Sequence, residues 1–161
     1  MKGAVHERYG APGRVVEVRE LEKPEAGSDE VLVRIRGASV NIADWYAVTG
    51  RPWIARGTTG LRGPKETRIG VDYSGVVEAV GADVTGFMVG DEVFGGRTGA
   101  CGEYVVATAD RAIVTKPATV TFARSAFATT YSPHAPVLPP NTSSPTMNPV
   151  TSAPTASTTP E

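Results

Sequence analysis

The chain has 161 residues, a length suited to about one domain. Its charges almost cancel, at net −1, which argues against a sequence-independent grip on nucleic acid, since that needs a cationic surface to release counterions. A single cysteine, Cys101, excludes an internal disulfide and a four-cysteine zinc lobe. The polar start, Met1 to Gly10, is unlike a signal peptide, and no apolar run approaches the roughly 18 residues of a membrane span. A soluble, cytoplasmic protein is the expectation, without nucleic-acid or membrane partners.

In chain order, Lys2–His6 and Gly13–Leu21 read as a first strand pair, joined by the turn Gly10-Ala11-Pro12-Gly13. Val31, Val33 and Ile35 alternate with Leu32, Arg34 and Arg36, the period of a half-buried strand. Ile42–Val48 is a short helical candidate ended by Gly50 and Pro52. Trp53 to Arg68 reads as a long loop rich in Gly, Arg and Lys. Tyr73–Val80, Asp91–Phe94, Glu103–Ala107 and Ile113–Thr115 are further strands, with Val76, Val77 and Val80 as core candidates. Short strands at this spacing predict a mainly β barrel or sandwich. Helical propensity returns at Thr121–Ala128.

Composition then changes abruptly. From Phe127 to Glu161, 21 of 35 residues are Pro, Thr or Ser, and Glu161 carries the only formal charge. Proline interrupts both helix and sheet, and few large apolar residues remain to offset the entropy of ordering. The expected organisation is a globular domain over 1–126 and a disordered tail over 127–161. The tail's composition resembles a mucin-like stalk, but no secretion signal supports one.

The glycine run Gly95-Gly96-Arg97-Thr98-Gly99-Ala100-Cys101-Gly102 leads into Glu103-Tyr104-Val105-Val106, a strand. A phosphate cradle needs a helix N-terminus there, so the run is expected to be a hairpin turn. Gly81 to Gly86 lacks dinucleotide-fingerprint spacing. Asp72, between Gly70 and Gly75, is expected to bond nearby backbone. Asn41 or Asp44 can cap the helix that follows, and Asn41, Asp44 and Tyr46 can line a cleft with polar groups. His6 is expected at the surface and His134 falls in the tail, so neither forms a dyad or metal site. Cys101 is expected to be a buried or idle thiol.

The order Gly70-x-Asp72-x-x-Gly75-x-Val77, Val80-Gly81, Val89-Gly90-Asp91-x-Val93-Phe94-Gly95, Gly102-Glu103-Tyr104-Val105 and Lys116-Pro117 resembles the medium-chain dehydrogenase/reductase superfamily. Val40-Asn41-x-x-Asp44 extends the match upstream, and the likeness covers nearly all of residues 1 to 125. It is most similar to the quinone oxidoreductase (zeta-crystallin-like) branch. The resemblance implies a GroES-like, partly open β-barrel that walls one side of an active-site cleft. A following Rossmann domain binds NAD(P)H in such proteins. Zinc-dependent members have Cys at the position of Asn41 and His-Glu at Val71-Asp72, so the resemblance implies a zinc-free protein. It assigns Asn41 and Tyr46 to catalysis and to contact with the nicotinamide, and Asp44 to a supporting role. The implied substrates are quinones, enones or similar electrophiles.

The family continues past Lys116-Pro117 into an Ala-rich helix and Rossmann strands. This chain starts that helix, then enters the Pro/Thr/Ser segment, too short for several βαβ units. Either the reading frame shifts near residue 126, or the gene is genuinely truncated. The expectation is an inactive front half of a reductase whose oligomer interface is lost. The alternative is a non-catalytic interaction module on the same barrel.

Overall fold

The computed structural model describes residues 1–111 and 113–128. The segment predicted as a tail, with His134 and the frame-shift question, lies outside the described residues apart from its first two positions.

Strands β1 (Lys2–Val5) and β2 (Glu17–Glu20) pair antiparallel, Lys2 opposite Glu20 and Val5 opposite Glu17. Between them Pro12–Val15 is one turn of helix, α1, where a strand was expected from Gly13. Proline at the first helical position supplies the required φ and no surplus donor, and the Val16 amide closes the turn on the Pro12 carbonyl.

The main sheet has five strands: β3 (Glu30–Ala38), β4 (Asp72–Val80), β5 (Glu92–Gly96), β6 (Tyr104–Thr108) and β7 (Ile113–Thr115). Their spatial order is β6-β3-β4-β5-β7, and every pairing is antiparallel. The period-two reading of β3 holds on its core face, where Val31 and Val33 are buried and Arg34 and Arg36 exposed. Leu32 is buried as well, so the opposite face is covered at that end. Val31, Val33, Tyr73, Val77, Val93 and Val105 form the centre of the core. Of the valines expected in β4, Val77 is fully buried and Val80 packs at the edge. Two register shifts between β3 and β4, after Leu32 and after Ile35, mark irregularities in the ladder; such bulges bend and twist a sheet. The fold is mainly β, a curled half-barrel of GroES-like type with short helices.

The glycine run does precede a strand, but it is not a hairpin. It joins β5 to β6, which lie at different places in the sheet with β3 and β4 between them. A crossover of this kind must pass close to other backbone, and here the Gly99 and Ala100 amides both donate to the Gly70 carbonyl. The predicted loop from Trp53 to Arg68 contains a turn of 3-10 helix, Trp53–Ala55, and one of α-helix, α3 (Arg56–Thr59). Helix α2 (Ile42–Thr49) lies before it, and α4 (Phe122–Ala128) packs on β3 and β4.

Candidate functional site

The site is built where β3 ends and α2 begins. Asn41 is the N-cap of α2: its Oδ1 accepts from the Ala43 amide at 2.7 Å and the Asp44 amide at 3.3 Å. Asp44 Oδ2 accepts from the Asn41 amide at 2.8 Å, completing a reciprocal capping box. The far end is closed by Gly50, whose φ of 63° suits a residue without Cβ and whose amide reaches the Tyr46 carbonyl. Cap and stop together fix the helix within a residue of its predicted bounds.

Capping leaves the Asn41 amide nitrogen on the other side. Nδ2 donates to Asp72 Oδ2 at 2.6 Å. Because Oδ1 takes two backbone N–H groups, the orientation of the amide is determined by its partners. Ser39 Oγ lies 3.3 Å from the same Asp72 oxygen and 3.2 Å from the Ala126 carbonyl, so its one proton serves one acceptor at a time. Asp72 therefore bonds side chains 31 and 33 positions away, not merely the nearby backbone expected of it. The cause is pairing of β3 with β4, which sets Ala38 opposite Tyr73 and carries the end of β3 past Asp72.

Asp44 and Asp72 are both buried. Burial pushes the Asp44 carboxyl above the usual carboxylate range; the Asn41 amide opposes this, and the charge of Asp72 adds to it. Asp44 also lines a cavity of about 170 Å³ beneath α2, with His6, Val48, Lys65, Arg68 and Val71 among its walls. His6 is 3% exposed, against the surface placement expected of it. Segment 67–69 covers the end of β1: the His6 amide donates to the Thr67 carbonyl, and Val5 bridges Arg68. No local sequence pattern announces that cover. Cys101 is half-buried, as expected, and burial with the Asp44 charge raises its pKa.

Of the three predicted site residues, Asn41 and Asp44 meet in the capping box with Asp72 against them. Tyr46 stands apart, on the exposed side of α2, its ring edge-on to Trp45 at 5.6 Å between centroids. Neither Asn41 nor Tyr46 is among the residues lining the cavity beneath the helix. Ser39 is the member that sequence reasoning missed, and Asp72 was singled out but given only nearby backbone as partner. The one available signal was the acid bracketed by Gly70 and Gly75.

A mainly β half-barrel with a capped helix at the mouth of its sheet defines a GroES-like domain. Residues 27–119 match the family model of the alcohol dehydrogenase GroES-like domain, and the chain belongs to that family. Its homologues include quinone oxidoreductases and other medium-chain dehydrogenase/reductase enzymes. It is 37% identical over 99 residues to a quinone oxidoreductase of Pseudomonas aeruginosa, covering 60% of this chain and 26% of that one. To an alcohol dehydrogenase of Geobacillus stearothermophilus it is 39% identical over 94 residues, covering 58% and 25%. Among solved structures it superimposes on a mycobacterial protein complexed with NADPH, with TM-score 0.65 and 29% identity, covering 78% of this chain and 36% of that one. The chain thus spans about a quarter of the length of these curated relatives.

Proposed function

We propose that residues 1–126 form the substrate-side domain of a zinc-independent, NAD(P)H-dependent reductase of quinones or enones. The observation that carries this reading is the amide of Asn41. An Asn side chain has two N–H donors. One is spent on Asp72, and the other meets no acceptor among the described residues and is left for a ligand. The tight bond to Asp72 holds that donor in place before any substrate arrives, which is what electrostatic stabilisation of a developing oxyanion requires. Tyr46, 38% exposed on the same helix, supplies a second donor, its hydroxyl, on the outer side. Asp44 positions Asn41 through the capping box, its carboxylate accepting the Asn41 amide.

The cofactor supplies hydride when bound. Its nucleotide half needs a parallel βαβ unit, whereas the strand pairs among the described residues are all antiparallel. The domain therefore offers the wall against which a separate nucleotide-binding domain closes. Exposed Val40, Ile42, Trp45 and Phe127, around the start of α2 and the end of α4, support a surface that such a partner covers. A zinc ion does not fit the same place. Asn41 Oδ1 is filled by two backbone donors, and Val71 offers only hydrocarbon. The substrate and cofactor meet only if both walls are present, so the purified chain is expected to show negligible NADPH oxidation with a panel of quinones and enones. Steady turnover by the chain alone would refute the half-cleft reading. Sequencing the coding DNA past codon 126 and translating all three frames tests its origin: an Ala-rich helix followed by a strand and a glycine-rich turn in another frame marks a frame shift.

A further inference from the structure

The cavity of about 170 Å³ beneath α2 holds polar groups that the fold leaves unused. His6 lines it and is 97% buried, at 3% exposure. Its Nδ1 faces the Arg8 carbonyl at 3.4 Å. A carbonyl only accepts, so Nδ1 carries the proton there, and in the neutral ring Nε2 is an acceptor. Nε2 bonds no atom among the described residues. No fully enclosed side-chain nitrogen or oxygen among those residues lacks a partner, so Nε2 opens on accessible space, and the cavity is the space that His6 lines. Asp44 is the other buried polar group on its wall. Its Oδ2 takes the Asn41 amide, and as a carboxylate its second oxygen is a further acceptor.

Around these two acceptors the walls are largely apolar: Ala47 and Val48 from α2, with Pro64, Ile69 and Val71 opposite. Lys65 also lines the cavity and is exposed, so a way in from solvent exists on that side. An apolar cavity of about 150 Å³ takes one benzene ring, so this one has room for a single six-membered ring with a small substituent. Both buried polar groups accept, so the occupant must donate. We propose that the cavity beneath α2 is a binding site for a single-ring phenol, its ring against the apolar walls and its hydroxyl donating to His6 Nε2. A phenolic hydroxyl is more acidic than an aliphatic one and is the stronger donor. Quinones and enones bring only carbonyl acceptors, so they do not match this wall, and neither Asn41 nor Tyr46 lines it. The site is thus separate from the reduction proposed above and does not rest on it.

The test titrates the full chain with phenol and with toluene, which has the same shape and no donor. The ring protons of His6 are followed by NMR and assigned by their loss in His6→Phe, since the chain has two histidines. The expected result is a saturable shift of the His6 signal, with phenol bound more tightly than toluene although toluene leaves water more readily. His6→Phe keeps a ring and removes the acceptor. Calorimetry on that variant is expected to show phenol bound about ten-fold more weakly and the preference reversed to toluene. Circular dichroism checks its fold, and should it not fold, the comparison of phenol with toluene on the parent chain decides alone. The proposal is overturned by a His6 signal that does not shift saturably, by a parent chain that prefers toluene, or by unchanged phenol affinity in a folded His6→Phe.

Discussion

Asn41 Nδ2 and Asp72 Oδ2 lie 2.6 Å apart, joining the N-cap of a helix to the first residue of a strand 31 positions later. The same Asn41 side chain caps α2 through its oxygen. One residue thus satisfies the helix end and a buried carboxylate together. Replacing Asn41 with Ala removes a cap, worth about 1 kcal/mol, and takes a donor from buried Asp72, about 1–3 kcal/mol more. A loss of about 2–4 kcal/mol is expected in urea denaturation of the purified chain. Asn41→Asp keeps a capping oxygen but sets a second carboxylate against Asp72. Two such groups cannot both ionise at that separation, so the pair retains a proton. Its stability should therefore fall as pH rises, and recover as pH is lowered.

Asp44 gives a pH dependence of its own. Burial raises its pKa in the folded chain, so the folded state binds the proton more tightly than the unfolded state does. Stability from this group is then full at low pH and declines as pH rises from about 4, the ordinary carboxylate value, through the raised value. Asp44→Asn can still accept the Asn41 amide and carries no charge. Urea midpoints across that window should show a flatter profile for Asp44→Asn than for the parent chain.

Gly70 is held at φ 89°, and a Cβ there would lie 2.5 Å from the Cys101 nitrogen and 2.6 Å from Sγ. Both backbone strain and overlap act against any side chain. Gly70→Ala is expected to cost more than about 2 kcal/mol and to lower the thermal midpoint by several degrees. It would also displace the crossover from β5 to β6, since the Gly70 carbonyl accepts the Gly99 and Ala100 amides.

Cys101 is half-buried, and its thiol pKa is raised first by burial and then by the Asp44 charge. The thiolate is the reactive form. Alkylation by iodoacetamide at neutral pH is expected to be slower than for a free cysteine, and to speed up on unfolding. Mass spectrometry of timed aliquots reads this directly.

Much of the fold was legible because its signals are local. A polar cap, a short apolar stretch and a terminal glycine mark α2, and alternation marks β3. What escaped depends on contacts between distant segments. The glycine run looks like a hairpin until the strand order separates β5 from β6. His6 looks exposed until segment 67–69 is laid across it. Asp72 looks like a turn residue until pairing of β3 with β4 brings Asn41 to it. At the site, a cap at Asn41 or Asp44 was readable from residue type; the structure makes Asn41 the cap and Asp44 its reciprocal partner. Their connection to Asp72 was not readable, because no sequence period links positions 41 and 72.

The most direct measurement fuses residues 1–126 to the nucleotide-binding domain of a quinone oxidoreductase relative and follows NADPH oxidation with quinones and enones. The account predicts turnover that survives chelators and falls by about 100-fold in Asn41→Ala, the scale of losing one oxyanion donor. A folded, NADPH-binding fusion that reduces none of these substrates, or one that loses its activity to a chelator, would contradict it.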